Sequence, residues 1–358
     1  MKLGNILSIF CFLAAMASCS MEDDMMNGQD VNTQVPVVKA GDAFIGFSVD
    51  TQVLATTKAN DTDKTQAPDA NERAINSCSM ILLEGDEVLI ADDDVFVNSD
   101  NVIVQTKDGK DTVKYMVKVK TPSPYKVMII ANSTEKFAGK TDLAAINKVL
   151  QNDKDALVKV GTEPVKFADG FVGYTSTVES RNNPVMVNPV VVKQLSARID
   201  LNSFNVEAFV ENSDPVDVVL KSVTLTNLNT TIYTGDTYEA TPKLENETYT
   251  FENGGFKVYD ASEEEGQQNI ALTEIPRFYT FSNQLESNHI TMSITYMVGD
   301  IEYITKEPYV INGPGNSDHN YVKSSNLYKV NVNMNLRSGI TFTANVLEWV
   351  EVNLPVEF

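Results

Sequence analysis

The chain has 358 residues with 49 Asp and Glu against 28 Lys and Arg, a formal charge of −21, and 42% hydrophobic residues. That length allows two domains with their own cores, and the composition fits neither a disordered chain nor an integral membrane protein. So acidic a surface repels nucleic-acid phosphates and anionic lipid headgroups, which disfavours those partners.

Lys2 is followed by the almost uniformly apolar stretch Ile6–Ala17, and Met16-Ala17-Ser18 places small residues directly before Cys19. Residues 1–18 therefore read as a secretory signal, too short to be a spanning helix. The cysteine makes it a lipoprotein signal, with cleavage before Cys19 and lipid on its thiol. An ordinary signal with an incidental cysteine is the alternative. Ser20-Met21-Glu22-Asp23-Asp24 is either a solvated tether or the acidic export tag that Bacteroidetes-type bacteria place on outer-face lipoproteins. Cys11 leaves with the signal and Cys19 carries lipid, so Cys78 is left alone and no disulfide forms inside the mature chain.

From Asp42 to Val53, Ala43, Ile45, Phe47 and Val49 alternate with Phe44, Gly46, Ser48 and Asp50, the period of a half-buried strand. Lys58 to Asn71 has almost no apolar content and reads as an exposed, protease-accessible connector. Strands are expected at 79–83, 102–106, 113–119 and 125–131, with Asp108-Gly109 as a hairpin turn. One short helix is expected over Asp142–Leu150, with Leu143, Ile146, Val149 and Leu150 on one face. Later strands are expected at 185–192, 197–206, 216–225, 290–296, 303–309, 328–336 and 340–350. Many short strands separated by turn chemistry make the fold mainly β, built from sandwiches and not from a βαβ sheet.

Together these segments resemble the Bacteroidetes fimbrillins (type V pilins), major fimbrial subunit lipoproteins. Val127-Met128-Ile129-Ile130-Ala131-Asn132-Ser133 with Phe137-Ala138-Gly139-Lys140-Thr141 is similar to their N-terminal domain. Gly173-Tyr174-Thr175 and Val192-Lys193-Gln194-Leu195-Ser196-Ala197-Arg198-Ile199-Asp200 resemble the segment joining their two domains. Asn326-Leu327-Tyr328-Lys329-Val330-Asn331-Val332 and Val346-Leu347-Glu348-Trp349-Val350 resemble their last strands. The resemblance implies two transthyretin-like sandwiches in tandem. It also implies a lipidated precursor on the outer membrane, whose first strand a trypsin-like protease removes. Strand exchange with other copies or related fimbrial subunits then builds an adhesive fibre.

The residues carry a matching pattern. At the far end Val352, Leu354, Val356 and Phe358 alternate with Asn353, Pro355 and Glu357, so this segment and 42–53 share one period and could occupy one groove in turn. Burying four such side chains contributes roughly 6–12 kcal/mol, and ordering the stretch costs about 7–14 kcal/mol. Main-chain bonding to a sheet edge must supply the margin. An ordinary last strand packed on its own domain is the alternative. Lys58-Ala59 stands at the family's cleavage position, though the family usually has Arg there; Arg73-Ala74 is the alternative bond. The domains expected are 19–58 as tether and removable strand, 59–198 as N-terminal sandwich and 199–358 as C-terminal sandwich.

Enzyme chemistry lacks parts. Cys78 sits at the edge of an apolar strand with neither His289 nor His319 near it in sequence. Asp92-Asp93-Asp94 and Glu263-Glu264-Glu265 lack the alternating ligands of a calcium loop, and no cofactor is expected. A monomeric surface lipoprotein that binds glycan or a host ligand is the competing reading.

Overall fold

The computed structural model describes residues 43–50, 65–66 and 69–349, except 99, 101, 108, 121–122, 147–148, 152–155, 175, 209–213, 235–241, 265, 284–287, 312–320 and 336–338. The chain is mainly β. Its first part runs β1 (Ala43–Gly46), β2 (Val49–Asp50), β3 (Thr65–Gln66), α1 (Ala70–Arg73), β4 (Cys78–Glu84), β5 (Glu87–Val97), β6 (Ile103–Lys107), β7 (Lys110–Lys114), β8 (Met116–Val119) and β9 (Tyr125–Ala131). Then come α2 (Leu143–Ile146), β10 (Val149–Gln151), β11 (Lys159–Pro164), α3 (Thr177–Asn182), β12 (Val185–Met186), β13 (Val190–Val191) and β14 (Lys193–Gln194). The remainder is β15 (Ser196–Ala208), β16 (Val218–Asn229), β17 (Thr231–Tyr233), β18 (Leu244–Thr250), β19 (Phe256–Tyr259), β20 (Arg277–Phe281), β21 (Thr291–Val298), β22 (Ile301–Ile304), β23 (Tyr309–Val310), β24 (Asn326–Asn335) and β25 (Gly339–Trp349).

Among the described residues, one sheet has the order β14-β11-β9-β4-β5-β6-β7, faced by the small sheet β12-β1-β8. Between them lies a core that includes Ala43, Ile45, Phe47, Met80, Leu82, Val117, Val127, Ile129 and Val190. A larger sheet, β22-β21-β16-β20-β15-β24-β25-β3, carries the second core around Ile199, Leu201, Phe204, Leu220, Val223, Phe278, Tyr328 and Val330. A third cluster joins Ile81, Ile130, Phe137, Ile146 and Val158 to Ile232 and Phe281 from the second half of the chain. The changeover between the first two cores comes between Val192 and Ala197, and the boundary proposed at 198/199 falls just inside β15.

Strand alternation explains the placement. In β24 the buried and half-buried residues alternate through Tyr328, Val330, Val332 and Met334, each at most 1% exposed. β6 pairs with β7 with Lys107 opposite Lys110, and Gly109, next to Lys110, adopts φ 72°, which glycine takes at little steric cost; Asp108 of the expected turn lies outside the described residues.

The helix expected over Asp142–Leu150 is shorter. Asp142 accepts the Ala144 N–H at 2.9 Å and starts a helix that ends at Ile146. Val149 and Leu150 instead enter β10, which pairs with β17 through Val149↔Tyr233 and Leu150↔Ile232. Main-chain pairing to a distant strand outweighs the local helical period there. The structure also adds α1 and α3 to the single helix expected.

Candidate assembly groove

The segment with the first two-residue period lies inside the fold. β1 pairs antiparallel with β8 (Ala43↔Val119, Ile45↔Val117) and parallel with β12 (Ile45↔Val185, Gly46↔Met186). β2 continues it, parallel to β13 through Val49↔Val190. Ala43, Ile45 and Phe47 have no exposed surface and Val49 is 2% exposed. The Phe47 ring stands 6.5 Å from that of Tyr115, tilted by 40°.

The two sides of the strand are held differently. On one side Ile103 N–H donates to the Phe47 carbonyl at 3.1 Å and β8 supplies a ladder. On the other side the N–H groups of Val187, Val190 and Val192 donate to the carbonyls of Gly46, Ser48 and Asp50 at 3.0, 2.9 and 3.0 Å. Phe44 N–H has a different partner there, the Ser180 hydroxyl at 2.7 Å. Because successive residues of a strand bond to opposite edges, the even-numbered residues face the α3–β12–β13 segment and the odd ones face β8 and β6. That segment also covers the outer face. The Arg181 guanidinium lies 5.3 Å from the centre of the Phe44 ring, and the Met186 thioether lies so close over Gly46 that a Cβ there would meet Sδ at 2.6 Å.

Ser180 is aimed by the start of its helix. Ser176 caps α3 by accepting the Glu179 N–H at 3.1 Å. Ser176-Thr177-Val178-Glu179 carries the spacing of a capping box, the one signal in the sequence that would have revealed this helix.

The other expected sites fare unevenly. Cys19, Lys58, Ala59, Val352, Leu354, Val356 and Phe358 lie outside the described residues. Arg73 ends α1, its N–H donating to the Asp69 carbonyl at 3.1 Å. The Ala74 carbonyl accepts from Asn132 Nδ2 at 2.8 Å and from buried Lys159 Nζ at 3.2 Å. Proteases prefer exposed, unpaired loops, and this bond is pinned on both sides.

Beside it is a buried ionic cluster that the sequence reading missed. Arg198, 1% exposed, donates Nη1 to both Glu72 oxygens at 3.0 Å and Nη2 to Asp200 at 2.8 Å. Tyr279 donates its hydroxyl to Glu72 at 2.6 Å, and Arg277 bonds Asp200 and Asp69. Burial and the Glu72 carboxylate push the Tyr279 phenol above its ordinary range. Burial would raise the Asp69 carboxyl, but the hydrogen bond and charge of Arg277, with Arg198 and Arg73, hold it below its usual value. The cluster fastens α1 to β15 and β20.

Cys78 is 2% exposed, and burial pushes its thiol up to about 12, so it is not poised for nucleophilic attack. Asp93 accepts from the Ser79 hydroxyl and from the N–H groups of Phe137 and Ala138, which ties a loop to β5. No group of three or more His, Cys, Asp or Glu is placed to hold a metal among the described residues.

The profile of the family described as fimbrillin-A associated anchor proteins Mfa1 and Mfa2 matches residues 83–354. No curated protein has a matching sequence. Among solved structures, the chain is similar to a candidate cell adhesion protein from Parabacteroides distasonis, with 14% identity, 88% of this chain and 99% of that chain covered, and a TM-score of 0.58. It is also similar to a fimbrilin (fimA) from Porphyromonas gingivalis, at 12% identity, 89% and 100% coverage and TM-score 0.48. The fimbrial anchor protein Mfa2 from Porphyromonas gingivalis matches at 11% identity, 87% and 98% coverage and TM-score 0.36. The first of these likenesses is one of fold. With the profile spanning most of its length, the chain belongs to the family of fimbrillin-A associated anchor proteins Mfa1 and Mfa2.

Proposed function

We propose that this protein is a structural subunit of surface fimbriae that polymerises by strand exchange and contributes to adhesion. It is exported as a precursor lipidated on Cys19 and held at the outer membrane. A trypsin-like protease cuts Lys58–Ala59, β1 and β2 leave, and residues Val352, Leu354, Val356 and Phe358 of another copy or a related subunit fill the space. The observation that carries this reading is the burial of Ala43, Ile45 and Phe47 within the first core, with β1 laid between β8 and β12. A strand so placed leaves an apolar cleft with open main-chain groups on both sides once its covalent link is cut. The pinned Arg73–Ala74 bond supports Lys58–Ala59 as the place of the cut.

The experiment is trypsin treatment of purified precursor alongside Lys58→Ala and Arg73→Ala. A ladder of oligomers from the native chain and Arg73→Ala, with none from Lys58→Ala, is expected; a chain that stays monomeric after cleavage at 58 refutes strand exchange. The family's description favours a second reading, an unprocessed anchor. N-terminal sequencing of assembled fibres separates the two: a start at Ala59 supports the processed subunit, and a start at Cys19 supports the anchor.

A further inference from the structure

The two flanks of β1 place unequal demands on any strand that takes its position. Toward β8 and β6, positions 43, 45 and 47 meet strand main chain. Toward α3 and β12, Gly46 is held in a ladder (Gly46↔Met186), whereas the Phe44 N–H is met only by the Ser180 side chain. A proline can therefore stand at position 44 without removing a ladder bond, and cannot at position 46.

Resting on the strand-exchange reading above, we propose that the C-terminal segment of another copy enters parallel to β1 in one register. Pro355 takes the place of Phe44, Val356 that of Ile45 and Phe358 that of Phe47, and Ser180 is the residue that discriminates this arrangement. A slip of one residue would turn the apolar side chains outward. A slip of two would put Pro355 into the ladder at Gly46 and place Val356 in the socket of fully buried Phe47, leaving a cavity. The proposed register sets an aromatic ring where Phe47 was and a β-branched side chain where Ile45 was. It also brings Glu357 to the place of Gly46, where Met186 lies. Met186 is 53% exposed and unbranched, so it rotates outward to admit the new side chain. Ser180 thus holds the resident strand by a bond that the incoming strand does not need.

The test uses the chain carrying Cys19→Ser, cut after Lys58, with a synthetic peptide of residues 350–358. With Val117→Cys in the chain, opposite Ile45, oxidation crosslinks a Val356→Cys peptide and not a Leu354→Cys peptide. In Ser180→Ala, the resident fragment is released about tenfold faster because Phe44 N–H loses its acceptor, while retention of the native peptide changes by less than about twofold. A Pro355→Ala peptide regains an N–H, and its retention then falls about tenfold in Ser180→Ala. Crosslinking through Leu354→Cys, or equal weakening of fragment and native peptide by Ser180→Ala, overturns the register. If no peptide enters the emptied groove of the native chain, the strand-exchange reading falls together with it.

Discussion

Phe47→Ala tests whether side-chain burial is what retains β1. The ring is fully buried among residues of the first core and has Tyr115 as a tilted neighbour. Truncating such a phenylalanine costs about 3–5 kcal/mol, the transfer of the ring plus the cavity it leaves. In the uncut chain the loss is read as reduced stability of the N-terminal half. After cleavage at Lys58 it falls on the hold over a fragment no longer covalently attached. At about 1.4 kcal/mol per tenfold, retention weakens on the order of a hundred- to several-thousand-fold. The assay is size-exclusion chromatography of the cut protein, timing the appearance of free fragment after dilution. Ser48→Ala, at a half-buried position whose carbonyl still accepts from Val190, serves as the control and leaves release nearly unchanged. Release of the Phe47→Ala fragment at the native rate would refute the reasoning, because the apolar face would then contribute nothing to the hold.

Arg198→Met takes from buried Glu72 and Asp200 the buried cation between them and leaves them only the more exposed Arg277, which costs up to about 3–5 kcal/mol; the melting temperature falls by up to about 6–20 °C in calorimetry, and a shift under 2 °C, on the order of 0.5 kcal/mol, speaks against the cluster as a fastening. Burial would raise the Asp93 carboxyl, but hydrogen bonds from Ala138, Ser79 and Phe137 hold it below its ordinary 3.8. Its folded form is therefore the stronger acid, so it adds stability above that ordinary value and loses it as pH falls further. Asp93→Asn accordingly flattens the acid limb of a stability–pH curve, while an unchanged limb contradicts the assignment. Cys78 resists a thiol reagent at pH 8 in the folded protein and reacts on denaturation; rapid labelling of native protein disproves its burial.

The strands that sequence revealed are those whose apolar residues keep one period. Tyr125–Ala131 is found at its expected limits, and β24 and β25 lie within two or three residues of theirs. β18, with the sequence Leu-Glu-Asn-Glu-Thr-Tyr-Thr, was not legible, because it is an exposed strand held to β16 mainly by main-chain bonds that any sequence makes. β5 was hidden by Asp92-Asp93-Asp94, which reads as a loop until Asp93 is seen to accept from Ser79 on β4 and from the N–H groups of Phe137 and Ala138. Propensity describes a residue alone, and these elements depend on partners outside themselves.

The groove was half legible for a related reason. Alternation in Ala43, Ile45, Phe47 and Val49 announces an apolar face, and the core receives that face. Nothing in the alternation tells what lies at the strand's edges, since main-chain hydrogen bonding leaves no trace in side-chain type. Of the α3–β12–β13 segment, periodicity announces only the strand at 185–192, which the structure divides into β12 and β13 of two residues each; it does not announce α3, and Ser180 and Met186 are ordinary side chains whose roles come only from position. The same indifference of the backbone to sequence is what would let two different segments use one groove, as the proposed strand exchange requires. Face-on contacts then require only size and polarity to match, and the edge becomes the place where the occupants can be told apart. Here that edge contains, among the described residues, the side-chain acceptor Ser180 in a flank otherwise made of backbone groups, so under strand exchange the distinction between a resident strand and its successor would rest on whether position 44 has a hydrogen to give.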